Sequence, residues 1–320
     1  MRITLILAFA VALMSFGMSE VTKYVYRGDG LYVEYSKEHG MLTNRYVSYW
    51  PNGRKKAEGE MRGNMRFGEW ALFDSTGKLV MARNYETGYA WTQNYPITFE
   101  TVTSKAWFPK TYSLYTEIKP DSEIYSARLW RFIPNEERSP IFANNALVDT
   151  LIALQQRGVV QCGEDDQMLK LSSYAEFSAR LEQCNPQRHV IGYRIKEDWF
   201  YDAKKLSGYY TIIDICPVLY AKNERDSINL GWFLYDAQLR NKMGTMFYAP
   251  AYASPYPVGV EQTFFLRCFA GDVYKYTNVK NQTVAQLFPD PQARAKEVQR
   301  WDVQVLEWEH DEWLKTFKQQ

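Results

Sequence analysis

An internal repeat in the first third of the chain constrains its fold more than any other feature. Tyr49-Trp50-Pro51-Asn52-Gly53 is followed by Glu58-Gly59-Glu60-Met61-Arg62-Gly63-Asn64. The chain then runs through Phe67-Gly68-Glu69-Trp70-Ala71-Leu72-Phe73-Asp74-Ser75-Thr76-Gly77, where the next copy begins. Gly53 and Gly77 occupy equivalent points, 24 positions apart. An earlier, degenerate copy runs from Gly30-Leu31-Tyr32-Val33-Glu34-Tyr35 to His39-Gly40. Alternating aromatics between turn glycines predict a series of short β-hairpins. Asn52, Gly53 and Gly77 are placed at the turns, with Asn52-Gly53 supplying the positive backbone angles of a tight one. One such unit cannot bury its aromatic face alone, so the copies must stack.

The N-terminus predicts export. Met1-Arg2 precedes an apolar run from Ile3 to Phe16, and Gly17 and Ser19 stand at the −3 and −1 positions of a cleavage site. Such a run is too short to span a bilayer comfortably, so residues 1–19 are read as a secretory signal; a buried N-terminal helix is the alternative. No Cys follows for lipid attachment, and no later segment is apolar enough to cross a membrane. The mature chain is therefore expected to be held at a membrane only through a partner. Removing residues 1–19 takes away Arg2 and no acidic residue, so 38 basic and 37 acidic residues become 37 of each. This balance argues against a nucleic-acid partner, which requires a basic surplus, and it permits association in large assemblies.

Four cysteines remain: Cys162, Cys184, Cys216 and Cys268. An exported chain can form disulfides. Cys162 and Cys184 both adjoin loop signals, so a bridge between them is the candidate pairing. Cys216 and Cys268 sit in apolar runs and read as small buried hydrophobes. No pair has zinc-ligand spacing.

The fold class expected is α+β. Domain boundaries fall at residues 1–19 (signal), 20–95 (hairpin repeats), 96–125 (connector) and 126–320 (a mixed domain of antiparallel sheet and packed helices). In the last domain, Trp130 to Ile133 is extended and leads into a turn at Pro134. Leu147, Leu151 and Leu154 line a helix from about Asn144 to Arg157, stopped by Gly158. Ser173 and Glu176 form a capping box for a second helix, with Tyr174, Phe177 and Leu181 as its buried stripe. Val190–Tyr201 and Tyr209–Val218 read as an antiparallel hairpin, Leu230–Tyr235 as a third strand and Val260–Phe269 as helix. Asp290-Pro291 opens a long C-terminal helix. Val298, Trp301, Val305 and Trp308 form one of its stripes; Leu306, Trp313 and Phe317 form an offset second. The second stripe either meets a neighbouring subunit or is buried within the same domain.

Aromatic-rich segments recur throughout the second half. Trp and Tyr join large apolar area to a polar handle, which suits contact surfaces. Trp199, Tyr201, Trp232, Tyr252, Tyr256, Tyr274, Tyr276, Trp308 and Trp313 are the candidate interface residues. Catalytic signals are lacking. There is no phosphate loop or nucleophile elbow, and Glu164-Asp165-Asp166 lacks the ligand alternation of a calcium loop. His310, flanked by Glu309 and Asp311, reads as a capped or solvent-facing histidine rather than a metal ligand. Asp198 and Asp202, flanking aromatics, imitate the carboxylate pair of a sugar-cleaving enzyme. The reading is no enzyme, no cofactor and no metal.

Two resemblances follow. Residues 24–90 resemble MORN-type repeats of the YwqK-like variant, which are associated with protein or lipid contact; a plain β-meander that shields or spaces the main domain gives the same pattern. Residues 126–316 resemble the GldN/PorN family of gliding motility and type IX secretion. The resemblance is carried by Leu129-Trp130-Arg131-Phe132-Ile133, the Leu-rich helix, Lys196-Glu197-Asp198-Trp199-Phe200-Tyr201-Asp202 and Ile213-Asp214-Ile215-Cys216-Pro217-Val218. It continues through Trp232-Phe233-Leu234-Tyr235-Asp236-Ala237, Arg267-Cys268-Phe269 with Val273-Tyr274-Lys275 and Asn278-Val279, and Trp308-Glu309-His310-Asp311-Glu312-Trp313. Two departures stand out: the family usually sets a proline between the residues equivalent to Tyr235 and Asp236, and it does not generally carry the repeats. The resemblance implies a periplasmic, non-enzymatic subunit that self-associates into a ring. It also implies a GldK/PorK-like outer-membrane lipoprotein as partner, near inner-membrane motor subunits. The alternatives are an exported repeat module that binds protein or glycan, and a glycan-active enzyme.

Overall fold

The computed structural model describes residues 21–318, apart from 88, 93–96, 99–123, 137–138, 203–206 and 248–258. The signal segment and most of the connector thus lie outside the described residues.

The repeats form one antiparallel meander whose spatial order follows the chain: β1 (Thr22–Gly28), β2 (Leu31–Glu38), β3 (Met41–Tyr49), β4 (Lys55–Arg62), β5 (Met65–Phe73), β6 (Leu79–Asn84), β7 (Tyr89–Thr92) and β8 (Ile97–Thr98). Two kinds of turn join the strands. Asp29-Gly30, His39-Gly40 and Gly63-Asn64 are two-residue turns with both residues at positive φ, the geometry that matches strand twist. The turns at Asn52-Gly53 and Gly77 are longer. Only the glycine has positive φ there, +81° at Gly53 and +89° at Gly77. In each, a three-residue loop closes through paired backbone bonds, Trp50 N to Arg54 O and Asp74 N to Lys78 O. The two loops are equivalent, and they touch: Asn52 Nδ2 donates to Ser75 O at 2.8 Å, and Arg54 donates to Thr76 O. Gly59 is required because a Cβ there would lie 2.1 Å from the Trp70 ring.

The second sheet has the order β10 (Cys162–Gly163), β14 (Trp232–Leu234), β12 (Ser207–Tyr220), β11 (Val190–Asp202), β9 (Ile124–Pro134), β15 (Asp272–Tyr276), with β13 (Ser227–Asn229) beside β12. The α+β class holds. One apolar core joins this sheet to α1 (Ala146–Gln156), α2 (Tyr174–Leu181), α3 (Ala237–Met243) and α4 (Val260–Phe265). The Ser173–Glu176 capping box forms as the sequence implies. Phe177 is the residue of that helix that is fully buried, whereas Tyr174 is exposed. Asp236, which meets Tyr235 directly, caps α3 by accepting from Leu239 N at 2.9 Å. Helix α4 ends earlier than the apolar run suggests, because Arg267 turns into the left-handed region at φ 56°.

The anticipated Cys162–Cys184 bridge is absent. All four cysteines are free and buried. The Cys162 thiol packs against Gly231, whereas Cys184 turns its thiol back to the Arg180 carbonyl of α2.

Two elements remain: the short α5 (Val284–Leu287) and the long α6 (Pro291–Lys318). Asp290 caps α6 by accepting from Ala293 N at 2.7 Å, ahead of Pro291. Its place answers the question of the two stripes. Val303 and Leu306 pack on Tyr26, Val33, Tyr35, Tyr46, Met61 and Trp70 of the meander. Trp301, Val305, Trp313 and Leu314 share a core with Leu129, Trp199, Tyr201 and Val273 of the second sheet and with Ala57, Leu72, Val80 and Met81 of the first. The helix is therefore a common wall between the two sheets.

Candidate functional site

Of the aromatics anticipated at an outer interface, Trp199, Tyr201, Tyr276, Trp308 and Trp313 lie instead along this wall, and Trp232 and Tyr274 pack with Trp130 and Cys216 in a separate cluster. Trp199, Tyr201, Trp232 and Trp313 are buried within the chain itself, which corrects their reading as contacts for another subunit. Tyr274, Tyr276 and Trp308 are half-buried. Ring centroids are 5.6 Å apart for Trp199–Trp308, 5.7 Å for Trp301–Trp308 and 4.9 Å for Tyr276–Trp301. The physical reason is area: a helix facing two sheets needs large side chains on both flanks to exclude water. Tyr252 and Tyr256 lie outside the described residues.

Set within this apolar wall is a buried ionic network. Glu307 Oε1 accepts from the Tyr46 hydroxyl at 2.9 Å, and Oε2 accepts from Lys56 Nζ at 2.8 Å. His310 Nδ1 lies 3.0 Å from Glu307 Oε1, and its Nε2 lies 3.2 Å from Arg66 Nη2. A guanidinium can only donate, so Nε2 must accept and the proton must reside on Nδ1. Burial, with the cations Arg66 and Lys56 adding to it against the pull of Glu307, holds the His310 pKa below the usual histidine range. Burial alone would raise the Glu307 pKa; the hydrogen bonds from His310 and Lys56, with the charge of Lys56, bring it below the usual carboxylate range. His310 is thus a neutral, fully buried residue, not the solvent-facing one the sequence suggests.

Glu309, one residue away, ties three parts together. It accepts from Arg66 of β5 at 2.6 Å and from Gly208 N of β12 at 3.2 Å. Earlier on α6, Asp302 pairs with Lys37 at 2.6 Å and accepts from the Tyr35 hydroxyl at 3.1 Å. Asn64, in a meander turn, donates to the carbonyls of Arg267 and Phe269 at 2.9 Å each.

A second buried cluster stands inside the second sheet. Glu197 is fully buried and receives Arg131 at 2.5 Å and Arg267 at 2.7 and 3.1 Å. Nearby, Lys196 pairs with Asp214, and Lys275 pairs with Asp166 at 2.6 Å. Asp166 thus serves as an ion-pair partner within the fold. The carboxylate pair imagined for sugar cleavage does not stand free: Asp198 is held by Arg128 through two bonds of 2.7 and 2.8 Å, and the Asp202 side chain lies outside the described residues. A cavity of about 320 Å³ lined by Gln155, Val160, Leu171 and Tyr174 contains no acidic residue. Among the described residues no three His, Cys, Asp or Glu side chains converge as a metal site, and no helix is long and apolar enough to cross a membrane.

What this arrangement does chemically is hold elements in position. Each buried carboxylate in these clusters has a cation beside it, an arrangement that fixes the relative placement of elements. Sequence reasoning missed Lys56, Arg66, Glu197 and Glu307. A signal was present in α6: Val303, Glu307, His310 and Leu314 recur at helical spacing, so two polar residues interrupt one apolar stripe.

A family model described as gliding motility associated protein GldN matches residues 118–314, more than half of the chain. No curated protein matches it.

Proposed function

We propose a scaffold role from one premise: the chain belongs to the GldN family of gliding motility associated proteins, a structural family linked to gliding and type IX secretion. On this reading the protein is a periplasmic, non-enzymatic subunit. It self-associates into a ring and docks on an outer-membrane lipoprotein of GldK/PorK type, near inner-membrane motor subunits. The observation that carries the reading is the family match, which runs from just before β9 to near the end of α6. Two features support it. The ionisable side chains at the heart of the fold are spent on ion pairs that lock elements together. The exported, charge-balanced chain read from the sequence suits an assembly subunit.

Size-exclusion chromatography with light scattering tests this on the purified protein, alone and mixed with an outer-membrane lipoprotein of GldK/PorK type. The expected result is a mass of several subunits or a stable complex with the lipoprotein. A strict monomer that ignores the lipoprotein overturns the proposal.

A further inference from the structure

We propose that the free edge of β1 receives an extended, acidic segment of a partner polypeptide as an added strand of the N-terminal sheet. This surface lies outside the residues matched by the family model, so the inference stands apart from the scaffold reading.

Among the described residues, β1 is outermost in the meander, and it contains no proline. The two-residue turn at Asp29-Gly30 pairs Gly28 with Leu31. That register directs the backbone groups of Thr22, Tyr24 and Tyr26 to β2, and turns the N–H and C=O of Lys23, Val25 and Arg27 outward. The side chains of these same three residues are exposed, Val25 to 55%. An edge with an unpaired backbone row is a template for another strand.

Charge selects the occupant. Elsewhere on this sheet, Arg45 of β3 lies 3.4 Å from Glu58 of β4, Lys55 lies 2.8 Å from the same carboxylate, and Lys37, Lys56 and Arg66 meet carboxylates of α6. Across from β1, the partners of Lys23 and Arg27 are Ser36 and Tyr32. Arg27 stacks over the Tyr32 ring at 4.2 Å, and neutral Val25 faces Glu34. The first turns of α6, which packs on β1, add Lys296, which reaches Gly28. The acids at this end are each engaged elsewhere: Asp29 lies 4.0 Å from Arg300, Asp290 caps α6, Glu297 pairs with Arg300 at 2.6 Å, and Glu34 accepts from the Tyr32 and Tyr49 hydroxyls. A basic–apolar–basic edge therefore lacks its acidic neighbour strand. A second copy fits poorly, because antiparallel pairing centred on Val25 would set Lys23 opposite Arg27 twice.

The probe is a labelled, end-blocked heptapeptide with Glu opposite Lys23 and Arg27 and Val between, compared by fluorescence anisotropy with the same peptide carrying Lys. The purified protein should bind the Glu peptide about tenfold more tightly, and the preference should vanish in about 1 M salt. Val25→Pro, which removes an outward N–H from an edge strand, should abolish binding without moving the thermal midpoint. Lys23→Glu with Arg27→Glu should reverse the preference. Should Val25→Pro fail to fold, amide exchange on the native protein decides: the Glu peptide should slow exchange at Lys23, Val25 and Arg27. Equal affinity for both peptides overturns the proposal. Absence of binding does so too, since the basic residues then merely guard the edge. So does a concentration-dependent dimer lost in Val25→Pro, which assigns the edge to a second copy.

Discussion

At Glu307, a carboxylate without solvent contact takes hydrogen bonds from Tyr46 and Lys56 of the meander and lies against His310 one turn along its own helix. Its removal would leave Lys56, a largely buried cation, with the half-exposed Asp311 as its remaining ion-pair partner. Glu307→Ala should therefore lower the unfolding free energy by about 3–5 kcal/mol, read from urea denaturation at neutral pH; a loss below about 1 kcal/mol would show that the network contributes little. The same cluster sets a pH response. The folded-state pKa of His310 lies below its unfolded value, so the unfolded chain binds the extra proton first as pH falls through about 6.5. Stability is full above that pH and declines below it. Glu307, also depressed, extends the loss as pH falls past the ordinary carboxylate range. Asp302, whose pKa burial raises, contributes in the opposite sense, losing stability as pH rises through its own window. The diagnostic comparison is therefore His310→Gln against the unaltered protein. The variant keeps a donor toward Glu307 and an acceptor toward Arg66, and its stability should change less between pH 7 and 5.5. Parallel curves would assign the response to other groups.

Elements announced by short-range chemistry were legible in the sequence. The Ser173–Glu176 box, the Asp290-Pro291 start and the glycine loops at Gly53 and Gly77 each depend on residues within a few positions of one another, so the local pattern carries the information. The β11–β12 hairpin was equally plain from two apolar runs around a Lys- and Gly-containing turn. What stayed hidden depends on distant partners. Helix α4 ends where Arg267 reaches back to Glu197, 70 residues earlier, a contact with no local signature. The aromatic strings were recognised as contact surfaces, but strand alternation and helical spacing do not tell whether the covering surface belongs to the same chain. Here α6 covers Trp199 and Tyr201, and the meander covers α6. The candidate site was legible only as an oddity: a helix whose apolar stripe contains Glu307 and His310 states that something polar is buried, not that Lys56, Tyr46 and Arg66 come from a sheet some 240–260 residues away.

For the whole molecule, α6 decides whether the N-terminal repeats are an independent module. Read from sequence, residues 20–95 form a domain that stacking alone stabilises. In the fold, that sheet's inner aromatic face, with Tyr26, Tyr35, Tyr46 and Trp70, is closed by a helix from the far end of the chain. Lys56 and Arg66 on the same sheet have carboxylates of α6 as their ion-pair partners. A fragment of residues 20–95 would expose the aromatic face and leave both cations without these partners, costs that a small sheet has little surplus to offset. It should be largely unfolded or molten, with weak near-ultraviolet dichroism, dye binding and no cooperative melting transition. A chain ending before Pro291 should show the same loss in both sheets, because Trp199, Tyr201 and Val273 also rest on α6. Adding a synthetic peptide of residues 290–318 to that truncated chain should restore a single transition, since the helix supplies both missing surfaces at once. Cooperative melting of the 20–95 fragment alone would instead establish the repeats as a separable module, with α6 a late addition to an already stable sheet.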